Sequence, residues 1–173
     1  DVVEGKTASL FRWAMWSGAR AGGLEGDAAL ALEQYGLHLG VAFQILNDLQ
    51  DWTGDDFNKL TRGGDVLGGR PTVLWALALQ GLKADDRSAL EQLVAEGKAT
   101  AEVFAEMRRL FQQASVFEKA LHLVREHRAI AEKVAGGLSP DALRRLARHM
   151  IETVLEPPPA KRTREASHPA RRP

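Results

Sequence analysis

The sequence predicts an all-α protein. Apolar residues recur at helical spacing through most of the chain, and capping residues or glycines bracket each such stretch. There is no alternating apolar and polar run between hairpin turns, and no repeat at solenoid period. With 173 residues the chain can bury one ordinary core. A hydrophobic content of 45% and a charged content of 27% suit a globular domain in water. Lys and Arg number 23, as do Asp and Glu, so whole-chain charge argues neither for nor against nucleic acid, and no nucleic-acid partner is expected. Cysteine is absent, which excludes disulfides, thiolate metal sites and a cysteine nucleophile and is compatible with a reducing cytosol. No apolar run reaches the roughly 18 residues of a membrane span, and the N-terminus does not read as a signal peptide.

The elements follow in order. Lys6 to Arg20 is rich in Ala, Leu, Trp and Met, and Gly22-Gly23 ends it. Asp27 is placed as the cap of a long second helix running to about Trp52. Its first part, AALALEQYGLHLGVAFQIL, is apolar nearly all round, as in a helix inside a bundle. Gly36 and Gly40 sit four apart on one side, where another helix or a ligand can approach closely. Thr53 to Gly69 reads as a loop, and Pro71 fits the first turn of the helix TVLWALALQGL. Asp85-Asp86 opens a short amphipathic stretch. Thr100 and Ser115 are placed as caps of the next two helices, and Gly136-Gly137 stops the second of them. Ser139 as cap with Pro140 at the first helical position starts DALRRLARHMIETVL. Residues 1–155 are expected to form the helical domain. Residues 156–173, EPPPAKRTREASHPARRP, are basic and proline-rich and are expected to be a disordered tail.

Chemistry concentrates between Gln44 and Thr72. On a helix, Gln44, Asp48 and Asp51 share one face with Asn47 beside them, while Ile45, Leu46 and Leu49 pack. Carboxylates on an otherwise apolar helix need bulk water, a cation or a metal. Magnesium suits them, because it takes hard oxygen ligands and completes its shell with water and phosphate oxygens. A simple exposed helix end would explain two acids alone. The loop that follows adds Lys59, Arg62 and Arg70 together with Gly63, Gly64, Gly68 and Gly69, so cations return on a backbone that can bend tightly. The four-residue gap between Gly64 and Gly69 is not a nucleotide loop, because Arg70-Pro71 replaces the required Lys and Ser/Thr and no strand precedes it.

Taken together, these signals resemble the C-terminal half of a trans-isoprenyl (polyprenyl) diphosphate synthase. Lys6-Thr7 matches that family's Lys-Thr pair, and an Ala-rich helix follows to Gly18-Ala19. Gly36, Gly40, Phe43 and Gln44 match its Gly-x-x-x-Gly and Phe-Gln signals. Asn47-Asp48-Leu49-Gln50-Asp51 falls on its second aspartate-rich motif, and Lys59, Gly64-Asp65 and Arg70-Pro71-Thr72 fall on its downstream signals. The resemblance implies an isoprenoid-synthase helical bundle without its N-terminal helices, and the opening at Asp1 with no initiator Met is expected to mark a partial sequence. It implies magnesium-assisted condensation of isopentenyl diphosphate with an allylic diphosphate, in the cytoplasm and by a homodimer in the complete protein. It implies that Lys6, Lys59 and Arg70 bind the diphosphate, that Thr7 and Gln44 lie against the reacting allylic region, and that Asn47, Asp48 and Asp51 support the metal.

The family's first aspartate-rich motif has no counterpart here, and Asn47 stands at a usual Asp, so this segment alone is expected to be inactive. Two other classes share the pattern: a non-catalytic regulatory subunit of a heteromeric synthase, and a terpene-cyclase-like lyase. Lys6-Thr7 and the stretch from Gly64 to Thr72 favour transfer over cyclisation. His38, His122, His127, His149 and His168 form no ligand pair at helical spacing and are expected to be structural. Trp13, Trp16, Trp52 and Trp75 are expected to be packing anchors. Arg108-Arg109 and Arg144-Arg145 are expected on solvated faces.

Overall fold

The computed structural model describes residues 7–53 and 72–156. Among them lie seven α-helices and no strand: α1 (Ser9–Ala21), α2 (Gly26–Thr53), α3 (Val73–Gly81), α4 (Ala84–Glu96), α5 (Ala101–Gln113), α6 (Val116–Gly136) and α7 (Asp141–Leu155). The all-α expectation holds. The expected loop from Gly54 onward, Lys6, Pro71 and the tail from Pro157 lie outside the described residues.

Helix α2 is the axis of the bundle. Leu32, Tyr35, Leu39, Ala42, Ile45, Leu49 and Trp52 recur at three- and four-residue spacing, and all are buried. The most extensive contacts of α2 are with α6 and α1, and it also touches α3 and α7. Small residues set the two closest approaches. A Cβ on Gly36 would lie 2.8 Å from the Phe11 carbonyl oxygen, and one on Gly40 would lie 2.7 Å from the Ala8 Cα. The glycine pair therefore admits the backbone of α1, one of the two roles its spacing suggested. On α6 the buried positions Ala120, Ala131 and Ala135 are likewise small. Next to Gly36, Tyr35 is buried and its hydroxyl donates to the Ala147 carbonyl of α7 at 2.7 Å.

Near the C-terminus of α2, the Trp52 ring packs at a tilt against Phe111 of α5, with centroids 4.8 Å apart, and against Phe117 of α6, with centroids 6.3 Å apart. Trp52 is a packing anchor as expected, but Trp13 and Trp16 are not. They are 64% and 41% exposed, because α1 turns Phe11 and Met15 toward α2 and leaves Leu10, Trp13 and Trp16 on its other sides.

Several caps differ from the sequence reading. Thr72 is the N-cap of α3, its hydroxyl accepting from the Trp75 N–H at 3.2 Å, so the helix starts at Val73 and Pro71 precedes it. Thr100 caps α5 as expected, accepting from the Val103 N–H. Ser115 precedes α6 in the left-handed region (φ 53°) and makes no side-chain cap, since that backbone turn swings its hydroxyl away from the first N–H groups. Pro140, not Ser139, is the N-cap of α7. The helix begins at Asp141, whose carboxylate accepts from Arg144 and Arg145, so these arginines are paired one turn apart. Asp27 sits inside the first turn of α2 rather than before it, where its charge still faces the positive helix end.

Candidate active site

The polar stripe occupies the C-terminal half of α2, as its spacing predicts. Asp48 is buried at 4% exposure and Gln44 is buried at 9%. Asn47 is half-buried and Asp51 is exposed. The stripe thus runs from the packed interior out to the surface within two helical turns.

Three chain segments meet at its inner end. The Thr7 hydroxyl donates to Gln44 Oε1 across 37 residues of sequence. Gln44 Nε2 donates to Asp48 Oδ1 at 2.7 Å, and the Val73 backbone N–H approaches Asp48 Oδ2 at 3.3 Å. The directions of these bonds are fixed by chemistry. An ionised carboxylate only accepts, so Gln44 must turn its NH2 group to Asp48 and its carbonyl to Thr7. The Thr7 hydrogen is then committed, and only the lone pairs of its oxygen remain to face a third group. Asp48 receives an N–H from the start of α3, where four backbone donors lack intrahelical partners and the helix dipole is positive. Among the described residues, two directed donors help to offset the burial of this carboxylate.

The outer end is held by an arginine that is exposed, as the sequence reading expected, but has a partner that reading did not give it. Arg108 of α5 donates to the Trp52 carbonyl at 3.0 Å, and its guanidinium lies 6.0 Å from the Phe117 ring centroid. It satisfies one of the last carbonyls of α2, directly after Asp51. No local pattern marks Arg108 for this role, because its partner is 56 residues away.

Thr7, Gln44 and Asp48 are therefore brought together. Asn47 and Asp51 stand on the same side of α2, one turn apart. Lys6, Lys59 and Arg70, the expected diphosphate ligands, lie outside the described residues, although Lys6 adjoins Thr7 and Arg70 lies two residues before the α3 cap. Among the described residues no cluster of three His, Asp or Glu is placed to hold a metal. The donor set nonetheless fits a hard divalent cation of the magnesium type, which typically uses only one or two carboxylates with water and phosphate oxygens. Asp51 at the surface and the Asn47 amide beside it carry oxygen atoms of the kind such a cation takes.

A second polar contact lies elsewhere on α2. His38 Nδ1 and His127 Nδ1 of α6 are 2.9 Å apart, with ring centroids 5.0 Å apart and planes at 37°. This pairing across 89 residues escaped a search confined to ligand spacing within one helix.

The polyprenyl synthetase family model matches residues 1–111. The chain is 28% identical over 158 residues to a short chain isoprenyl diphosphate synthase of Methanothermobacter thermautotrophicus, covering 90% of this chain and 48% of that protein. It is 35% identical over 129 residues to a geranylfarnesyl diphosphate synthase of Natronomonas pharaonis, covering 72% of this chain and 36% of that one. In structure it superposes on a polyprenyl synthase of Roseobacter denitrificans with a TM-score of 0.76 and 25% identity, over 88% of this chain and 50% of that one. The chain spans about half the length, or less, of these relatives.

Proposed function

Because this chain belongs to the polyprenyl synthetase family, we propose that it carries the diphosphate-side half of a prenyltransferase site, acting in isoprenoid biosynthesis in the cytoplasm. The reaction proposed for the whole protein joins isopentenyl diphosphate to an allylic diphosphate. The allylic C–O bond breaks and its electron pair leaves with diphosphate. The double bond of isopentenyl diphosphate attacks the allylic cation, and a proton departs.

The observation that carries this reading is the chain of bonds from Thr7 through Gln44 to Asp48, joined to the start of α3. It presents oxygen lone pairs at Thr7 without a full charge. Such a dipole stabilises an allylic cation without trapping it as a covalent adduct. Burial of Gln44 would help keep water from a cation beside it. Asn47, Asp48 and Asp51 would hold magnesium, which when bound neutralises diphosphate charge. Lys6, Lys59 and Arg70 would bind diphosphate oxygens directly, with Arg70 offering a two-pronged donor. A homodimer is the proposed assembly of the complete protein.

Asn47 favours a second reading, a regulatory subunit with weakened metal binding. Two measurements separate the readings. Calorimetric titration of the chain with an allylic diphosphate should show binding that needs magnesium, and Asp51→Ala should weaken it about tenfold or more. The complete protein should incorporate labelled isopentenyl diphosphate into a longer diphosphate. Magnesium-dependent binding without turnover points to the regulatory subunit, and no magnesium-dependent binding removes the diphosphate reading altogether.

A further inference from the structure

We propose that His38 and His127 form a two-imidazole site for a borderline divalent transition metal of the zinc or nickel class, linking α2 to α6. The site is separate from the polar stripe: His38 lies six residues before Gln44, about 9 Å along the helix at 1.5 Å per residue. It does not depend on the prenyltransferase reading.

The geometry carries the proposal. The two Nδ1 atoms face each other at 2.9 Å, so one must donate a hydrogen and the other accept. A metal bound to both would take the place of that single hydrogen. With metal–nitrogen bonds of about 2.0–2.1 Å, a separation near 2.9 Å subtends roughly 90° at the metal, a cis angle of octahedral or square-planar coordination. Opening the pair by roughly 0.4 Å gives the tetrahedral separation. The ring planes are inclined by 37° with centroids 5.0 Å apart, and metal binding would rotate the two rings to aim both lone pairs at one point.

Both histidines are half-buried, so the pair is not sealed from solvent, and water would complete the shell. Partial burial also favours the neutral imidazole at His38, the form that binds metal. The two rings sit on the most extensively packed helix pair in the described fold, so their backbones are held in place before any metal arrives. Nitrogen ligands select zinc, nickel or copper over magnesium, which separates this site chemically from the carboxylates of the stripe.

The test is thermal unfolding of the full chain at pH 7.5 with zinc or nickel chloride, and with magnesium chloride as control. At tenfold excess over Kd, one native-state site raises Tm by about 3–6 °C for a chain of this size. Zinc or nickel should give that rise in the wild type, and magnesium should not. His38→Ala and His127→Ala should each abolish it. His122→Ala should retain it, which controls for the exposed His122–Glu126 pair one turn apart. No rise in the wild type, or an undiminished rise in His38→Ala, overturns the proposal. If either alanine variant fails to fold, imidazole NMR of the wild type decides. Substoichiometric nickel should broaden His38 and His127 first, and broadening that starts at His122, His149 or His168 overturns the proposal.

Discussion

Tyr35 shows how one buried side chain sets a pH limit on this fold. It is the only tyrosine in the chain, its ring is buried, and its hydroxyl donates to the Ala147 carbonyl. Burial pushes its pKa from 10.0 up to about 12. The folded state thus favours the neutral phenol more than the unfolded state does. Its contribution to stability is complete below about pH 10 and is lost as pH rises toward 12. Phenolate absorbance should therefore titrate near 12 in the native protein and near 10 in denaturant, with no other tyrosine to confuse the signal. Tyr35→Phe should cost about 1 kcal/mol at pH 7 by removing the hydroxyl's bond to the Ala147 carbonyl, and should flatten the loss of stability between pH 10 and 12. Gln44 belongs to the same scale. Gln44→Leu keeps the volume but removes both the acceptor for Thr7 and the donor for Asp48, and should cost about 1–3 kcal/mol in urea unfolding. The identities of Gln44, Asn47, Asp48 and Asp51 as one face were legible because they share a helix, where a 3.6-residue period is enough. The partner Val73 was not, because a separation of 25 residues leaves no periodic trace, and Thr7, 37 residues from Gln44, was set beside it only by the family resemblance.

At the scale of elements, close helix contact governs. Gly40→Ala would place a methyl group 2.7 Å from the Ala8 Cα and 2.9 Å from the Phe11 Cβ. The first of these is backbone and cannot swing aside, so α1 must shift as a whole. The expected cost is about 1–3 kcal/mol despite the better helix propensity of Ala, and calorimetry or urea titration would show it. A gain in stability would mean that α1 does not pack against Gly40. Arg108 acts between elements, tying the end of α2 to α5. Arg108→Ala should cost about 1 kcal/mol or more and speed amide exchange in the last turn of α2, while Arg108→Lys should recover only part. Helix existence could be read from the sequence because apolar spacing persists over whole elements. Starts and stops were harder, since they rest on one or two dihedral angles. Ser115 has the residue type of a cap but adopts φ 53°, and Pro140 takes the cap position assigned to Ser139.

Across the whole molecule, stability should be graded around α2. That helix touches α1, α3, α6 and α7, while α4 packs chiefly on α5 and fully buries only Leu90. Hydrogen exchange should find α2 and α6 the slowest to open and α4 among the first, and equal protection throughout would contradict this ordering. The sequence by itself determined the all-helical class, the long apolar axis, the glycine face and the acid-bearing stripe. These follow from local period and residue chemistry, which act over one or two turns. Tertiary structure alone decided that the Thr7 hydroxyl bonds directly to Gln44, two residues the resemblance had only set in one region, that the start of α3 supplies a donor to Asp48, that Arg108 closes the end of α2, and that His38 faces His127. Each of these joins residues far apart in the chain, and only the crossing of packed helices fixes which side chains come within reach.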